Sequence, residues 1–345
     1  MTTLAKPIKI PCERKPGHLH AFFALKFHTG DQDRAKVAAI ETALNQAGIE
    51  ITLLARDAEK WGEAEIPTGK TLMPDYAFPA MLQCDCNIIE FSEKGVGLGI
   101  NAGFCYASHK PIYLIAKTGS DISPTIAELA QEVIFYNQPE DLIAPFTKIA
   151  KNFPRVILAS GSPYRKHQLE LAGIPFEVLT SHADETPDQS KSLKDQLAEI
   201  ALHKAQAVFE MTKDRGRRLI IAADQNIMFD GKLYGKQKNL ADARNLLRSM
   251  RGTDTSYSYT GNAIILADGD QILQSLSLTD TTRTIVDDLS DAAVEEFLRL
   301  GTWSQVCGVA NINNAPFVHV KSGRLSTAQG MTLEYAQEFL KNLAG

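Results

Sequence analysis

Between Val156 and Lys166 an apolar run gives way within three residues to a helix start, and few chain paths accommodate both. Val156, Ile157, Leu158 and Ala159 read as a short buried strand. Ser160, Gly161 and Ser162 follow, and Pro163 opens a segment with Leu169, Ala172 and Ile174 at helical spacing behind Arg165, Lys166, His167 and Gln168. A serine cap followed by proline is a well-founded helix start, because proline lacks an N–H that would be unpaired there anyway. The remaining free N–H groups, backed by the helix dipole, attract anions, and Arg165 and Lys166 add formal charge. The same letters also fit an ordinary strand–turn–helix junction with a solvated basic turn.

Three further stretches bear on that choice. His182 to Pro187 supplies two adjacent carboxylates, Asp184 and Glu185, in a turn. Lys204 falls on a helix predicted over Leu193–Met211, with Leu197, Ile200 and Val208 on neighbouring turns. Ile220 to Gln225 is a second apolar strand that ends on a carboxylate, Asp224, and Gly235-Lys236 follows a hairpin-like Asp230-Gly231. An anion-binding turn, carboxylates and several cations together point to metal-assisted phosphate chemistry. Singly, Asp224 also fits a strand-end acceptor, Lys204 a solvated helix residue and Glu185 an exposed acidic turn.

The ordered set Ser160-Gly-Ser-Pro-x-Arg165, Asp184-Glu185, Lys204-Ala205, Ala223-Asp-Gln225 and Gly235-Lys236 resembles the Maf family of nucleoside triphosphate pyrophosphatases, relatives of the inosine triphosphatase fold. The resemblance runs from about Arg155 to the C-terminus. It implies hydrolysis between the α and β phosphates, giving a monophosphate and pyrophosphate. It also implies roles: Asp224 activates water, Glu185 and Asp224 hold Mg²⁺ or Mn²⁺, and Arg165, Lys204 and Lys236 hold phosphates with Ser160 and Ser162 donating. Base selection falls on Tyr164, Gln225 and Asn313, where an aromatic followed by glutamine is similar to the branch acting on 7-methylguanosine triphosphate. Three positions depart from the family pattern. Gln237 stands where a proline is usual, Asp287 where an arginine is expected, and Asn313 where glutamine or glutamate is usual.

At 345 residues two domains are the natural prior, and Pro154 after the amphipathic run Glu140–Asn152 marks the boundary: 1–152 and 153–345. A net charge of −5 argues against a nucleic-acid partner, so a site for an anionic substrate must be locally basic. No apolar run approaches membrane-spanning length and the start lacks a signal-peptide pattern, so a cytoplasmic location without membrane attachment is expected. The five cysteines are an odd, sparse set that fits a reducing compartment and free thiols. Cys84 and Cys86, two apart, would share a strand face.

In the first half, strands at His20–Phe27, Ile49–Leu54, Asn87–Phe91 and Pro111–Ile115 alternate with helices at Asp31–Ala47, Tyr76–Leu82 and Gly103–Ser108. This α/β order predicts a flavodoxin- or Rossmann-like parallel sheet with helices on both faces, ahead of a mixed α/β second domain. Cys84 to Ser92, Gly95-Val-Gly97 and Ala107 to Pro111 resemble the nucleoside 2-deoxyribosyltransferase-like family, which implies a nucleotide site at Asp85, Gly95, Gly97 and Asn101. That family's covalent glutamate is replaced by Gly99 or Asn101, neither of which is a usable nucleophile. The expected protein is a metal-dependent pyrophosphatase acting on modified or non-standard triphosphates, with self-association as a homodimer admitted. The alternatives are a non-catalytic nucleotide sensor and an N-glycosidase or deoxyribosyltransferase activity in the first domain.

Overall fold

The computed structural model describes residues 18–28, 31–63, 66–180, 182–310, 312 and 315–343. The chain folds as two compact units. The first is Met1–Phe153 with Ala172–Pro175 and Gln337–Gly345; the second is Pro154–Leu171 with Phe176–Ala336.

The first unit is built on β1 (Leu19–Leu25), β2 (Ile49–Thr52), β3 (Cys86–Glu90), β4 (Ile112–Lys117) and β5 (Glu132–Tyr136). These pair in parallel in the order β2-β1-β3-β4-β5. Their connections carry α1 (Asp31–Gln46), α2 (Leu54–Asp57), α3 (Phe78–Gln83), α4 (Val96–Ala107), α5 (Pro124–Ala127) and α6 (Ile143–Asn152). Neighbouring strand residues feed opposite cores, as the two-residue period requires. Phe23 and Ile88 join Ile40 and Phe146 on the face covered by α1 and α6, whereas Phe22 and Ile89 join Met81 and Leu98 under α3 and α4. Burial on both faces is why β1 and β4 read as largely apolar runs, whereas edge strand β5 alternates.

Three local expectations are corrected. The helix expected over Gly103–Ser108 begins at Val96, so its glycines weaken propensity without setting the start; packing of Leu98, Ala102 and Cys105 holds it. Strand β5 is an addition to the expected set, although Val133, Phe135 and Tyr136 favour it. Cys84 and Cys86 do not share a face. Cys84 precedes the strand and packs in one core while Cys86 packs in the other. Cys84, Cys86, Cys105 and Cys307 are thiols rather than disulfide sulfurs.

The second unit contains β6 (Arg155–Leu158), β7 (Phe176–Val178), β8 (Arg218–Phe229), β9 (Lys232–Tyr234), β10 (Ser256–Asp268), β11 (Gln271–Val286) and β12 (Val318–Ser322). The order is β12-β11-β10-β8-β6-β7, with β9 also on β8. Its helices are α7 (Pro163–Leu171), α8 (Leu193–Met211), α9 (Leu240–Met250), α10 (Asp291–Arg299) and α11 (Leu325–Ala328); α12 (Leu333–Leu343) is the last helix in the chain order. Ile220 and Ala222 of β8 face Ala201, Ala205 and Val208 of α8. Ile227 and Phe229 face Leu247 of α9 and Phe297 of α10 on the other side.

Strand β8 does not end at Asp224, as its apolar run suggests, but continues to Phe229. What ends there is its pairing on one side. β6 leaves β8 at Leu158–Ile221, and β9 joins only at Ile227–Tyr234, so the edge between them is a notch in the sheet. The other edge stays paired with β10, where Asp224 stands opposite Gly261. A Cβ at Gly261 would lie 2.1 Å from the Leu197 carbonyl oxygen, so α8 rests directly on the strand backbone there. Gly261→Ala is therefore expected to destabilise the second unit by about 1–3 kcal/mol through overpacking. Chemical unfolding of the purified variant checks this, and an unchanged midpoint would mean that α8 can lift from the strand without penalty.

Candidate active site

The notch gathers most of the chemistry-bearing residues. α7 begins at Pro163 directly after Ser160-Gly-Ser162, just past the point where β6 leaves the sheet. Ser160 Oγ accepts from the Ser162 N–H at 3.3 Å and from Arg165 Nη1 at 3.0 Å. Arg165 Nε donates to the Gly330 carbonyl at 2.8 Å. Burial lowers the Arg165 pKa, and the charges of Asp224 and Glu185 oppose that shift, which places the guanidinium in their field.

Lys204 reaches the notch from the middle of α8. Its ammonium lies 2.7 Å from Asp224 Oδ1 and 3.0 Å from Glu185 Oε2. Lys204 is only 8% exposed, whereas the Glu185 side chain is 60% exposed, so the pair with Asp224 is the better shielded. The contact of α8 with Gly261 fixes the helix height over β10, beside the strand that carries Asp224. Lys236 arrives from the opposite side. Asp230 and Gly231, with φ of 48° and 70°, turn β8 into β9, and Lys236 then forms an isolated antiparallel bridge with Cys307.

Cys307 joins these parts. Its thiol donates to the Gln225 carbonyl at 2.9 Å, on the unpaired edge of β8. Burial pushes the thiol pKa up, while Arg165, Lys236 and Lys204 pull it down. Gly308 N–H bonds to Gly235 O at 3.0 Å, so the late loop and the Gly235-Lys236 turn are tied together.

Asp224 and Gln225 point to opposite faces of β8, as neighbours on a strand must. Gln225 Nε2 donates to Thr327 O at 3.0 Å, Ala328 O at 3.3 Å and Thr260 Oγ1 at 3.2 Å. Its amide cannot both donate to and accept from a ligand, because the donor end is taken and the carbonyl end faces Gly330. Tyr164 is partly buried in the first turn of α7, and that burial raises its pKa. Asn313 lies outside the described residues.

Two departures have structural accounts. Gln237 Nε2 donates to Gly235 O at 3.1 Å, so a side-chain hydrogen bond closes the turn that a proline would stiffen. Asp287 lies 3.0 Å from His319 and, among the described residues, makes no ion pair with Arg165, Lys204 or Lys236. Three contributors escaped sequence reasoning: Cys307 as a joint, Gly261 as a seat for α8, and the carbonyls of Thr327, Ala328 and Gly330. A lone glycine inside a strand was the available signal for the second.

The donor set fits a hard cation. Asp224 Oδ1 and Glu185 Oε2 both lie within hydrogen-bonding reach of one nitrogen, and carboxylate oxygens suit Mg²⁺ or Mn²⁺ that fills its remaining positions with water and phosphate. Among the described residues no cluster of three or more His, Cys, Asp or Glu forms an all-protein metal cage.

In the first unit a cavity of about 410 Å³ opens at the carboxyl ends of β1 and β3, where the strand order reverses. Gly95, Gly97 and Asn101 line it with Lys26, Phe27, Leu54 and Met73. Asn101 is 8% exposed, and its buried Oδ1 lacks a hydrogen-bond partner among the described residues. Asp85 is not brought there. It precedes β3 at the opposite end of the sheet, and its Oδ2 accepts from the His20 N–H at 2.8 Å, fastening β1 to β3. Glu90 is held by Lys36 at 2.7 Å and by Tyr136 at 3.1 Å, and Glu93 pairs with Lys26 and His28.

Parts of the chain are similar to known proteins. A dTTP/UTP pyrophosphatase of Bacillus cereus is 34% identical over 151 residues, 44% of this chain and 70% of that protein. Among solved structures, a 2-deoxyribosyltransferase of Bacillus psychrosaccharolyticus matches 36% of this chain and 90% of its own, at 18% identity and a TM-score of 0.29. The Staphylococcus aureus Ham1 protein matches 55% of this chain and 98% of its own, at 12% identity and a TM-score of 0.29. Residues 155–343 match the family described as Maf-like protein, and with more than half of its length inside that match, the chain belongs to the Maf-like family.

Proposed function

We propose that the second unit hydrolyses a nucleoside triphosphate between its α and β phosphates, releasing a monophosphate and pyrophosphate. The observation that carries this reading is the convergence of Lys204, Asp224 and Glu185 beside Arg165 at the start of α7. Such a site must neutralise a polyanion and direct a water in line with the leaving group. Arg165 and Lys236 are charged sides for the phosphates, with Ser160, Ser162 and the free N–H groups of α7 donating to their oxygens. Asp224 orients the attacking water and accepts its proton. Mg²⁺ or Mn²⁺, held by Asp224 and Glu185, would supply further positive charge to the phosphates.

Asp224→Asn keeps the shape and removes the base and charge, so pyrophosphate release should fall roughly a hundredfold or more. A coupled pyrophosphate assay on the folded variant checks this, and near-normal turnover would remove Asp224 from the mechanism.

For the base, we propose an edge that presents an N–H donor to the side-chain amide oxygen of Gln225, since Cys307 already takes the backbone oxygen. Uracil, thymine and guanine offer such an edge. Tyr164 favours a guanine made cationic by methylation at N7, because a cation over an aromatic face gains about 0.5–2 kcal/mol. That makes 7-methylguanosine triphosphate the preferred reading. UTP and thymidine triphosphate are the second, supported by the name of the Bacillus cereus relative. A panel of these with GTP separates the two: Tyr164→Ala should lose mainly the methylated substrate, up to about tenfold per 1.4 kcal/mol. A wild type that prefers UTP would overturn the first reading.

The first unit supports binding of a nucleoside or nucleotide without cleavage of its glycosidic bond. No carboxylate projects from α4, whose residue 99 is glycine, and Glu90 and Glu93 are already paired. Calorimetry with deoxynucleoside monophosphates should therefore register binding by the full chain while chromatography detects no free base. Base release would show that another group has taken over the nucleophile's role.

A further inference from the structure

We propose that Lys204 is a resident counter-ion that keeps the Asp224–Glu185 pair closed to free divalent cations until a triphosphate draws the ammonium away. The inference rests on the metal-assisted phosphate reading above and extends it to the order in which the site fills. Asp224 Oδ1 and Glu185 Oε2 are the two oxygens that suit a hard cation, and one ammonium already contacts both, at 2.7 and 3.0 Å. A divalent ion seated on the same oxygens would face a like charge at contact distance, and on the shielded Asp224 side little water screens it. Lys204 and the metal therefore compete for these oxygens.

The neighbouring cations are held differently. Arg165 is fastened by Ser160 Oγ and the Gly330 carbonyl, so it cannot follow a substrate into the notch. Lys204 has a flexible four-carbon stem, and its ammonium has three donors, of which the two carboxylates take two. A triphosphate oxygen can engage the third and then draw the ammonium off the carboxylates. Metal and substrate are consequently coupled: each raises the affinity of the other by the same factor. Free cation alone binds weakly, and the site is charged only when a polyanion is present.

The test is Mn²⁺ binding to the full chain, followed by the loss of free-ion paramagnetic resonance signal without nucleotide. Lys204→Met and Lys204→Gln should each bind Mn²⁺ at least tenfold more tightly than wild type, and Glu185→Gln in either background should abolish the gain. Mn²⁺ should also raise the melting temperature of these variants more than that of wild type, a readout that needs no turnover. Equal or weaker Mn²⁺ binding by both variants overturns the proposal, as does a gain that survives Glu185→Gln. A wild type that releases pyrophosphate while the variants gain nothing would sink this inference alone. Variants that gain Mn²⁺ affinity in a chain inactive on every triphosphate would sink the function and leave the counter-ion standing.

Discussion

The ion pair between Lys204 and Asp224 is the contact on which the second unit's site depends. An ammonium this buried is tolerated only beside a carboxylate, and removing one partner of such a pair typically costs about 3–5 kcal/mol. Glu185 adds less to stability, because it is mostly exposed and water screens its charge. Its value lies in position. The geometry in turn depends on α8 lying close against β10, which Gly261 permits by having no side chain to push the helix away. A single missing Cβ under one turn of helix thus bears on the charge distribution two turns later.

The notch in the sheet explains why those charges are usable. A strand paired on both edges offers its backbone to nothing else, and its side chains are divided between two sealed cores. Where β6 stops and β9 has not begun, one edge of β8 is open between Ile221 and Ile227. Asp224 borders that opening from the α8 face and Gln225 from the other, so the proposed phosphate and base sites fall to consecutive residues. Arg165 is bonded both to Ser160 and to Gly330, beside Gln225. The thiol of Cys307 takes the Gln225 carbonyl that a neighbouring strand would otherwise have taken. Its raised pKa keeps it a neutral donor in that position.

What could be read from the letters and what could not divide along physical lines. The start of α7, the length of α8 and the Asp230-Gly231 hairpin follow from local rules of capping, periodicity and turn chemistry, and these hold in the structure. The chemistry-bearing side chains were also legible as an ordered set, since each type suits phosphate work. Partnership was not legible. Nothing in the spacing of residues 185, 204 and 224 says that one ammonium meets both carboxylates, because that depends on how a helix crosses a strand. Nor could an apolar run reveal that β8 continues past Asp224, since its later residues pack against a different layer. An amide at Gln225 suggests a group that reads a base with both of its ends. The carbonyls that occupy its nitrogen come from residues a hundred positions away.

The first unit presents a different case, in which the architecture is plainer than the chemistry. Its parallel sheet, its reversal of strand order and the cavity at that reversal are all in place, and each follows from strands buried on both faces. Architecture of this kind supplies a crevice at the carboxyl ends of the strands whatever residues line it. Glycosidic cleavage would need one more element, a nucleophile held at the right depth, and α4 carries no carboxylate. Asn101, buried with a carbonyl oxygen that has no partner among the described residues, is the polar group that remains. An amide in that place can orient a ligand through a hydrogen bond but cannot form a covalent glycosyl intermediate, because its nitrogen lone pair is delocalised. The second unit gathers charged side chains around a notch in its sheet, while the first offers a cavity lined by glycines and one buried amide.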